Sequence, residues 1–551
     1  MKNRIIVVLT GEIGAGKTTL ANALEKNYGF TILKTREALD YWSKKRKFRQ
    51  QKDEDTRMFF QRIGETLDKE TDGKWILEYF QSIINTSERI VIDSVRIHKQ
   101  IEAFRSSYGH QNVVQIHHHV SKDELERRYF KRNNYDFNDL IAIQNYHIYK
   151  ANSTESKVKE LKTDADLVID TEKTFIDDNI IRVASFLRLL PSINSGIVDV
   201  LVGGQFGSEG KGQVAAYIAP EYDCLVRVGG PNAGHKVFEN SNPDTFHILP
   251  SGTRRASNSK IVLGPAAVIS LDILLREIHD FDIQPDRLVI DSNCTIISDL
   301  DKKIEAEFDK IGSTKQGVGA ATANNLFKNR LQKNLEYKAI NCSKLKQYIG
   351  SAHQEFEKLY ANNGKILLEG TQGTLLSLHH GIYPYVTSRD TCVSGCLSDA
   401  GISPKRIRKV IMVTRTYPIR VQSPEDGSSG PFSRGEYDYE ITYEELASRS
   451  KLSIAEIKGT EKTSTTKKQR RIANFNWAIF REACELNSPT DIALTFSDYI
   501  NSENRKARRY DQLSKETTKL IDEIERCAGV PVSLISTNFN HRSIIDRRNW
   551  I

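Results

Sequence analysis

The sequence has few features that would place it in an oxidising compartment or in a membrane. Its seven cysteines are scattered over 551 residues and form no C-x-x-C pair, which is typical of a reduced, intracellular protein. No run approaches the ~18 consecutive apolar residues of a membrane span. The apolar run at residues 5–9 is too short for a signal peptide and leads into Gly11-Glu12 instead of a cleavage site. We therefore expect a cytoplasmic protein with no membrane partner.

The chain also has no long block of lysine and arginine. Its net charge of +8 is mild for this length, and several anionic small-molecule ligands explain it as well as nucleic acid does. No nucleic-acid-binding module is recognised, so nucleic acid is the weakest candidate partner. The 39% hydrophobic and 27% charged residues are ordinary for a globular protein. Because domains typically contain about 100–200 residues, we expect more than one.

A phosphate-binding loop is predicted near the beginning of the chain. The strand pattern at residues 5–9 is followed by Gly11-Glu12-Ile13-Gly14-Ala15-Gly16-Lys17-Thr18 and then by a helical pattern. This is the G-x-x-x-x-G-K-[ST] template in its strand, loop and helix context, and a chance glycine-rich turn is the competing interpretation. In such a loop the backbone N–H groups hold phosphates, Lys17 neutralises the β and γ oxygens, and Thr18 offers a hydroxyl to Mg²⁺.

Other residues of this first part fit nucleotide chemistry less specifically. Asp93 ends the predicted strand at residues 89–93 and would hold Mg²⁺ through water, although it could be a plain strand-end residue. A later helix carries Arg127, Arg128 and Arg132, which suit a lid over transferred phosphate or, alternatively, a solvated basic face. The three histidines at 117–119 alternate faces on a strand and are not expected to bind one metal ion together.

The first domain, residues 1–190, resembles small nucleoside monophosphate kinases and dephospho-coenzyme A kinases. The specific part of this resemblance is the loop at residues 11–18, and the order of the remaining elements is a coarse likeness. By this resemblance, Arg36 lies where such kinases bind the phosphate of the acceptor. The domain could instead act on another nucleotide or only bind one.

A short linker rich in Pro, Ser, Asn and Gly is predicted at residues 191–196, and a second nucleotide loop follows it. The apolar run at residues 197–202 leads into Gly203-Gly204-Gln205-Phe206-Gly207-Ser208-Glu209-Gly210-Lys211-Gly212 and then into a helical pattern. Glycines let the backbone approach a ligand closely, and the N–H groups that open the helix face an anion. A nucleotide phosphate is the natural ligand.

Several further motifs follow in the second domain, residues 197–551. They are Gly230-Pro231-Asn232-Ala233-Gly234-His235, the segment 247–252, Glu369-Gly370-Thr371-Gln372-Gly373-Thr374, the segment 380–388 with Tyr383-Pro384-Tyr385-Val386-Thr387-Ser388, and Ser464-Thr465-Thr466. Together with the loop at residues 203–212 they resemble the adenylosuccinate synthetase family over nearly the whole domain. The resemblance implies a two-stage ligation. A nucleoside triphosphate, usually GTP, phosphorylates the 6-oxygen of a purine monophosphate, and the amine of L-aspartate then displaces that phosphate.

The resemblance also implies roles for individual residues. Lys211 and the loop residues Gly207, Glu209, Gly210 and Gly212 would bind the triphosphate. His235 would protonate or hydrogen-bond the 6-oxygen, and Gly234 would lend a carbonyl to Mg²⁺. Asp498 would recognise guanine in the donor. The purine monophosphate would be held by four residues, namely Asn232, Thr314, Gln372 and Thr387.

The basic stretch at residues 465–471 matches the aspartate-binding loop of that family. Its residues Thr465, Thr466, Lys468 and Arg470 would bind the two carboxylates of aspartate, with Arg470 forming a bidentate pair. A solvated basic surface loop is the competing interpretation. The family forms homodimers in which the partner supplies an arginine, and the candidates for it here are Lys328 and Arg330.

Three departures from the family pattern bear on the substrates. Phe496 replaces the lysine that covers guanine, and residues 536–540 replace the usual Ser-Thr-Gly-Pro beside the base, so ATP or dATP becomes a candidate donor beside GTP. Ser208 replaces the carboxylate that takes the proton from purine N1 and contacts Mg²⁺, and a serine hydroxyl does neither well. Either the enzyme is inactive or its substrate differs.

The smaller, uncharged Ser208 would leave room for the 2-amino group of guanine. This is similar to a phage-associated branch of the family that makes 2-amino-adenylosuccinate from dGMP. We therefore expect (d)GMP as the substrate in preference to IMP, on the ground that the polar groups of a site set its discrimination. A nucleotide sensor without turnover, for example in host–phage conflict, is the alternative of another class. Both domains are predicted to be α/β with mainly parallel, helix-covered sheets.

Overall fold

The computed structural model describes most of the chain in two compact units, Met1–Leu190 and Pro191–Ile551. The described residues are 4–52, 54–83, 87–133, 143–144, 147, 157–190, 196–239, 243–308, 315–327, 337–421, 430–437, 439–462, 468–538 and 540–549. Residues 191–195 of the predicted linker lie outside them. Within the described residues, no helix is both long enough and apolar enough to cross a membrane.

The first unit is a five-stranded parallel sheet with the strand order β2-β3-β1-β4-β5. Ile6 and Val8 of β1 pack into one core, whereas Val7 and Leu9 pack into another, because neighbouring strand residues point to opposite faces. The sheet is therefore covered on both faces. Its elements are β1 (Ile5–Gly11), α1 (Lys17–Tyr28), β2 (Thr31–Lys34), α2 (Thr35–Lys45), α3 (Thr56–Thr71), α4 (Trp75–Ile83), β3 (Arg89–Asp93), α5 (His98–Tyr108), β4 (Val113–His119), α6 (Lys122–Asn133), β5 (Leu167–Asp170) and α7 (Ile176–Phe186).

The first half of the second unit contributes six strands to the main sheet, including the edge strand β14. Its elements are β6 (Val198–Gly203), α8 (Lys211–Ile218), β7 (Cys224–Arg227), β8 (His235–Val237), β9 (Asp244–Phe246), β10 (Lys260–Leu263), β11 (Val268–Ile269), α9 (Leu271–Asp280), β12 (Leu288–Asp291), β13 (Thr295–Ile296), α10 (Asp299–Phe308), α11 (Val318–Leu326), β14 (Ile349–Gly350), α12 (Ala352–Ala361) and β15 (Ile366–Glu369).

The second half completes that sheet and adds a small antiparallel one. Its elements are α13 (Val393–Ala400), β16 (Ile407–Arg415), β17 (Ile419–Arg420), β18 (Glu440–Ile441), α14 (Tyr443–Ser450), α15 (Ile454–Thr460), β19 (Arg471–Ala473), α16 (Trp477–Asn487), β20 (Asp491–Thr495), α17 (Lys515–Ala528), β21 (Val532–Ser536) and β22 (Ile544–Asp546).

The main sheet has ten strands in the order β14-β12-β10-β7-β15-β6-β16-β20-β21-β22. All of its neighbours are parallel except β21 and β22. The central strand β6 is buried along its whole length, and its two neighbours β15 and β16 end beside it. Loops that follow these three strands therefore meet at one edge of the sheet, where ligands bind in open α/β sheets.

The predicted fold class is confirmed, since both units are α/β with mainly parallel sheets covered by helices. The small antiparallel sheet β17-β19-β18 and the hairpin of β8 and β9 were not predicted. These strands have only two or three residues each, so they present too few alternating positions to reveal a strand period.

Candidate active sites

The loop at residues 203–212 connects the buried strand β6 to helix α8. Gly210 caps α8 in the left-handed region with φ 89°. Ser208 has φ 56°, and Gln372, which lies in the loop after β15, has φ 65°. Residues other than glycine rarely adopt positive φ, and such strained residues cluster at ligand sites. In both loops, therefore, the surrounding structure holds one residue in a backbone conformation that its side chain disfavours.

Glu209 organises the loop from the inside. Its carboxylate, which is fully buried, accepts hydrogen bonds from the backbone N–H groups of Gln205 (3.1 Å) and Gly207 (2.8 Å). Its other oxygen accepts from Lys211 Nζ at 2.6 Å. Because a buried charge is tolerated when it is paired and hydrogen-bonded, this arrangement fixes the loop and leaves the Lys211 ammonium at the start of α8. Glu209 was predicted to bind the donor, and the structure directs its carboxylate to its own loop.

His235 forms a buried pair with Glu369. The two side chains come from the beginning of β8 and the end of β15, and Nδ1 of His235 lies 2.5 Å from Oε1 of Glu369. Glu369 also accepts from the backbone N–H (2.7 Å) and the hydroxyl of Ser251. A Cβ on Gly212 would lie 2.8 Å from Cβ of His235, so only glycine lets the helix start approach this histidine.

The charges of this pair follow from their surroundings. Burial lowers the pKa of His235 to about 4, and the nearby Arg227 acts in the same direction. Burial works to raise the pKa of Glu369, but the hydrogen bond with His235 and the charge of Arg227 outweigh it, so the pKa of this carboxyl is lowered. Glu369 is therefore ionised and His235 neutral. Since a carboxylate can only accept, Nδ1 of His235 carries the proton and Nε2 has a lone pair.

A buried arginine holds the segment around Asn232 through its backbone carbonyl groups. Arg227, at the end of β7, donates to the carbonyl oxygens of Ala233 (2.8 Å) and Leu249 (3.0 Å). The Oδ1 atom of Asn232 is buried and has no hydrogen-bond partner among the described residues. A buried acceptor without a partner at a predicted ligand position is free to accept from a bound molecule. Elsewhere in this unit, Gln372 Nε2 donates to Thr387 Oγ1 at 2.8 Å, which joins two predicted nucleotide-binding residues.

The predicted donor-base residues lie at the end of β20. Phe496, with φ 57°, places its ring 3.7 Å from the guanidinium of Arg415. The carboxylate of Asp498 is buried and accepts from Arg505 Nε at 3.0 Å. Burial raises the pKa of Asp498 and the ion pair with Arg505 opposes that shift. The acid that was predicted to recognise guanine is therefore paired with Arg505 of the same chain.

Some predicted residues lie outside the described part of the chain. They are Thr314, Thr465 and Thr466, together with the candidate partner residues Lys328 and Arg330. Lys468 is described and exposed, and Arg470 is half-buried beside Glu461. Arg227, Glu369, Arg415 and Glu461 are buried charges to which the sequence pattern assigned no role. They form the pairs Arg227 with Glu369 and Arg415 with Glu461, and because the partners are far apart in the chain, no local sequence pattern reveals them.

In the first unit, the loop predicted to bind phosphate connects β1 to α1. Gly11, Gly14 and Gly16 all have positive φ, and a Cβ on Gly11 would lie 2.6 Å from the carbonyl oxygen of His118. Lys17 Nζ donates to the carbonyl oxygens of Gly11 (2.7 Å) and Glu12 (2.8 Å). Thr18 Oγ1 donates to Asp93 Oδ2 at 2.8 Å. A hydroxyl and a carboxylate in contact at the loop are oxygen ligands that Mg²⁺ accepts, so this site fits the metal.

The other predicted residues of this unit lie on α6, α2 and β4. Arg127 is 61% exposed and pairs with Glu124, so it lies on the outer face of α6. Arg36 is exposed and lies 5.7 Å over the ring of Phe60. His117 and His118 are buried on β4, where Nδ1 of His117 lies 3.1 Å from Thr10 Oγ1 and Nδ1 of His118 lies 3.1 Å from the carbonyl oxygen of Ala15. The ring of His118 therefore contacts the loop itself, whereas the ring of His117 contacts Thr10 in β1.

The second unit offers a different set of oxygen ligands to Mg²⁺. Ser208 presents a hydroxyl where the resemblance expects a carboxylate, and both oxygens of Glu209 are hydrogen-bonded within the loop. A metal ion there would depend on the Gly234 carbonyl and on the phosphates of the nucleotide, which is a usual arrangement for Mg²⁺.

The glycine loop with its buried lysine, the histidine paired with a carboxylate and the orphaned amide are the kinds of group that can bind a nucleotide and its phosphates. The family model described as adenylosuccinate synthetase matches residues 200–335 and 325–505. Through its second unit, the chain belongs to the adenylosuccinate synthetase family, a family of C–N ligases.

Individual relatives give the same assignment. The adenylosuccinate synthetase of Methanocaldococcus jannaschii is 35% identical over 360 residues, which are 64% of this chain and 96% of that protein. The fully ligated adenylosuccinate synthetase of Plasmodium falciparum has the same fold, with 23% identity, a TM-score of 0.54 and coverage of 64% of this chain and 100% of that chain. The succinoaminodeoxyadenylate synthetase of cyanophage S-2L, bound to dGMP and to dATP as an energy donor, is 26% identical with a TM-score of 0.54, over 64% of this chain and 96% of that chain.

Proposed function

We propose that the second unit joins L-aspartate to C6 of (d)GMP, through a 6-phosphoryl intermediate, to give N6-succino-2-amino-(deoxy)adenylate. Ser208 is the observation that carries this proposal. It stands where the ordinary enzyme of the family has a carboxylate beside purine positions 1 and 2, and it has neither the length nor the charge of that group. The 2-amino group of guanine would take the space that is left. The likeness to a phage synthetase that binds dGMP supports this substrate.

The histidine pair suggests how the 6-oxygen is stabilised. With Nδ1–H directed to Glu369, His235 can donate to the 6-oxygen only from a second proton on Nε2. The negative charge of the bound nucleotides would raise the pKa of His235 from its low value in the free protein, and Glu369 would stabilise the resulting imidazolium. Lys211 would neutralise the transferring phosphoryl group, and Mg²⁺ would add positive charge at the phosphates.

The remaining residues would position the substrates. Asn232, Gln372 and Thr387 would hold the purine monophosphate, as would Thr314 outside the described residues, and Arg470 would bind a carboxylate of aspartate. Phe496 in place of the family's lysine, together with residues 536–540 in place of Ser-Thr-Gly-Pro, favours ATP or dATP as the donor over GTP. By its family, this unit would act as a homodimer.

For the first unit we propose a nucleoside monophosphate kinase-like activity with Mg²⁺. The contact between Thr18 and Asp93 and the position of Lys17 at the loop support it. Lys17→Ala should abolish ADP formation from ATP and a nucleoside monophosphate in the absence of aspartate. Lys211→Ala is the matched control and should leave that ADP formation unchanged. Equal turnover by the Lys17→Ala variant would overturn a catalytic role for the first unit.

The ligase proposal is tested by aspartate-dependent phosphate release. The Lys17→Ala protein is incubated with aspartate and with each of ATP, dATP and GTP, in parallel with dGMP, GMP or IMP. Release with a guanine monophosphate supports the proposal, whereas release with IMP alone indicates an ordinary adenylosuccinate synthetase. If no combination gives turnover while nucleotides still bind, the chain is a nucleotide-binding protein and the proposal is wrong.

A further inference from the structure

Glu461 lies at the centre of a buried network behind the proposed aspartate site. It follows helix α15, and its side chain is fully buried. The carboxylate accepts from Arg415 Nη2 at 2.5 Å and from the hydroxyl of Tyr499 at 2.8 Å, and Nη1 of Arg470 lies 3.4 Å from its second oxygen. The backbone carbonyl of Glu461 accepts from the N–H of Arg470 at 3.0 Å. Both the main chain and the side chain of Glu461 therefore hold Arg470.

This network has more positive than negative charge. Two guanidinium groups share the single carboxylate of Glu461, and the Nε atoms of both Arg415 and Arg470 are buried without a hydrogen-bond partner among the described residues. Burial lowers the pKa of Arg470, and the charge of Arg415 lowers it further, while Glu461 opposes these effects. Since buried charges are stable only when paired, a carboxylate ligand would complete the cluster.

The other end of the network reaches the loop that carries Ser208. Arg415 donates through Nη1 to the carbonyl oxygen of Ser208 at 3.3 Å, and its guanidinium packs on the ring of Phe496. The backbone N–H of Arg415 donates to Gln205 Oε1 at 3.1 Å. One arginine bound to Glu461, Arg415, therefore supports the nucleotide loop, and the other, Arg470, belongs to the predicted aspartate loop.

We infer that Glu461 is a positioning residue for aspartate recognition: it holds Arg470 in place for a carboxylate of the amino acid while it anchors Arg415 behind Ser208. This inference rests on the proposed ligase function. A purely structural ion pair would lower the amount of folded protein without changing the relative use of the substrates. A positioning residue would instead change the KM of aspartate more than the KM of either nucleotide.

The test is a double-mutant cycle with Glu461→Gln and Arg470→Lys, measured as aspartate-dependent phosphate release. Glu461→Gln keeps the shape of the side chain and removes its charge, and we expect the KM of aspartate to rise about tenfold or more because charge-assisted bonds to Arg470 are lost. The KM of each nucleotide should change by less than about threefold. In the Arg470→Lys background, Glu461→Gln should add little to the KM of aspartate, because Glu461 acts through Arg470.

Two further variants keep the test decisive if Glu461→Gln fails to fold. Tyr499→Phe removes one hydrogen bond to the same carboxylate, and Glu461→Asp keeps the charge on a shorter side chain. Both should raise the KM of aspartate by a smaller factor and in the same direction, with the nucleotide KM values unchanged. Additive effects in the cycle, or equal changes in all KM values, would overturn the positioning role alone. A lack of turnover in the unsubstituted protein would overturn the proposed ligase and this inference together.

Discussion

Ser208 combines a restricted backbone with an unusual side chain. Its φ of 56° lies in the left-handed region, which serine tolerates poorly and which aspartate and asparagine adopt more readily than most residues. The family carboxylate would therefore suit this backbone at least as well as serine does. The presence of serine is not explained by local geometry, and the proposed substrate gives it a chemical reason.

Exchange of Ser208 should change which purine is used. Ser208→Asp restores the family acid and should lower the kcat/KM ratio of dGMP to IMP by about tenfold or more, because a charged, longer side chain crowds the 2-amino group and accepts the proton of N1. Steady-state phosphate release with each purine measures this ratio. Ser208→Asn is the matched control, since it adds the same bulk without the charge. An unchanged ratio in both variants would argue that Ser208 does not select the base.

Glu369 should control the protonation of His235 during turnover. Glu369→Gln removes the carboxylate that would stabilise the imidazolium, so the basic limb of the pH profile of kcat should move to lower pH and kcat at pH 8 should fall by about tenfold or more. Glu355→Gln, on helix α12, is the control. A profile that keeps its shape while only the amount of active protein falls would indicate a structural role.

At the scale of elements, the loop at residues 11–18 is held by β4 and by the segment after β5. The carbonyl oxygen of Ala15 lies 3.1 Å from Nδ1 of His118 and accepts from Thr171 Oγ1 at 3.1 Å. Arg128 of α6 donates to both the hydroxyl and the carbonyl oxygen of Thr171. For helix α6 the sequence left a lid over phosphate and a solvated basic face as alternatives, and the structure shows one of its arginines holding Thr171 against the loop.

Loss of this brace should weaken nucleotide binding by the first unit. Thr171→Val keeps the shape of the side chain and removes the hydrogen bond to Ala15, so the Kd of ATP measured on the Lys211→Ala protein should rise by about threefold to tenfold. Thr31→Val is the control, because Thr31 begins β2 and so lies at the opposite edge of the parallel sheet from the loop. An unaltered Kd would show that the loop keeps its shape without Thr171.

The sequence predicted the parts of the fold and sites that depend on short contiguous patterns. The two glycine loops follow their strands as expected, because glycine spacing and strand hydrophobicity are local properties. The pairs His235 with Glu369 and Arg415 with Glu461 join residues 134 and 46 positions apart, and no local period encodes such pairing. Asp498 follows β20 as the pattern indicated, but its ion pair with Arg505 became visible only in the structure.

At the scale of the whole molecule, both units bury histidines that are neutral when folded. Burial is the main cause that lowers the pKa of His117 to about 4, of His118 to about 3 and of His235 to about 4. In an unfolded chain a histidine binds its proton near pH 6.5. Between about pH 6.5 and pH 4 the unfolded state therefore binds more protons, and the free energy of unfolding falls as the pH falls.

Acidification should accordingly destabilise the protein before its carboxylates titrate. Urea unfolding followed by tryptophan fluorescence should show a lower midpoint at pH 5 than at pH 7, with a loss of about 2 kcal/mol for each buried histidine. His118→Asn should reduce this pH dependence, whereas His279→Asn, at a side chain that is 88% exposed, should not. Equal midpoints at the two pH values would contradict the neutral, buried state of these histidines.

The most direct measurement is a competition in one reaction between dGMP and IMP. Equal concentrations of both are mixed with ATP, Mg²⁺ and ¹⁵N-labelled L-aspartate, and the succinylated products are separated and identified by mass. The account predicts that the label accumulates mainly in N6-succino-2-amino-deoxyadenylate, and that Ser208→Asp shifts it toward adenylosuccinate. A product derived from IMP alone with the unsubstituted protein would contradict it.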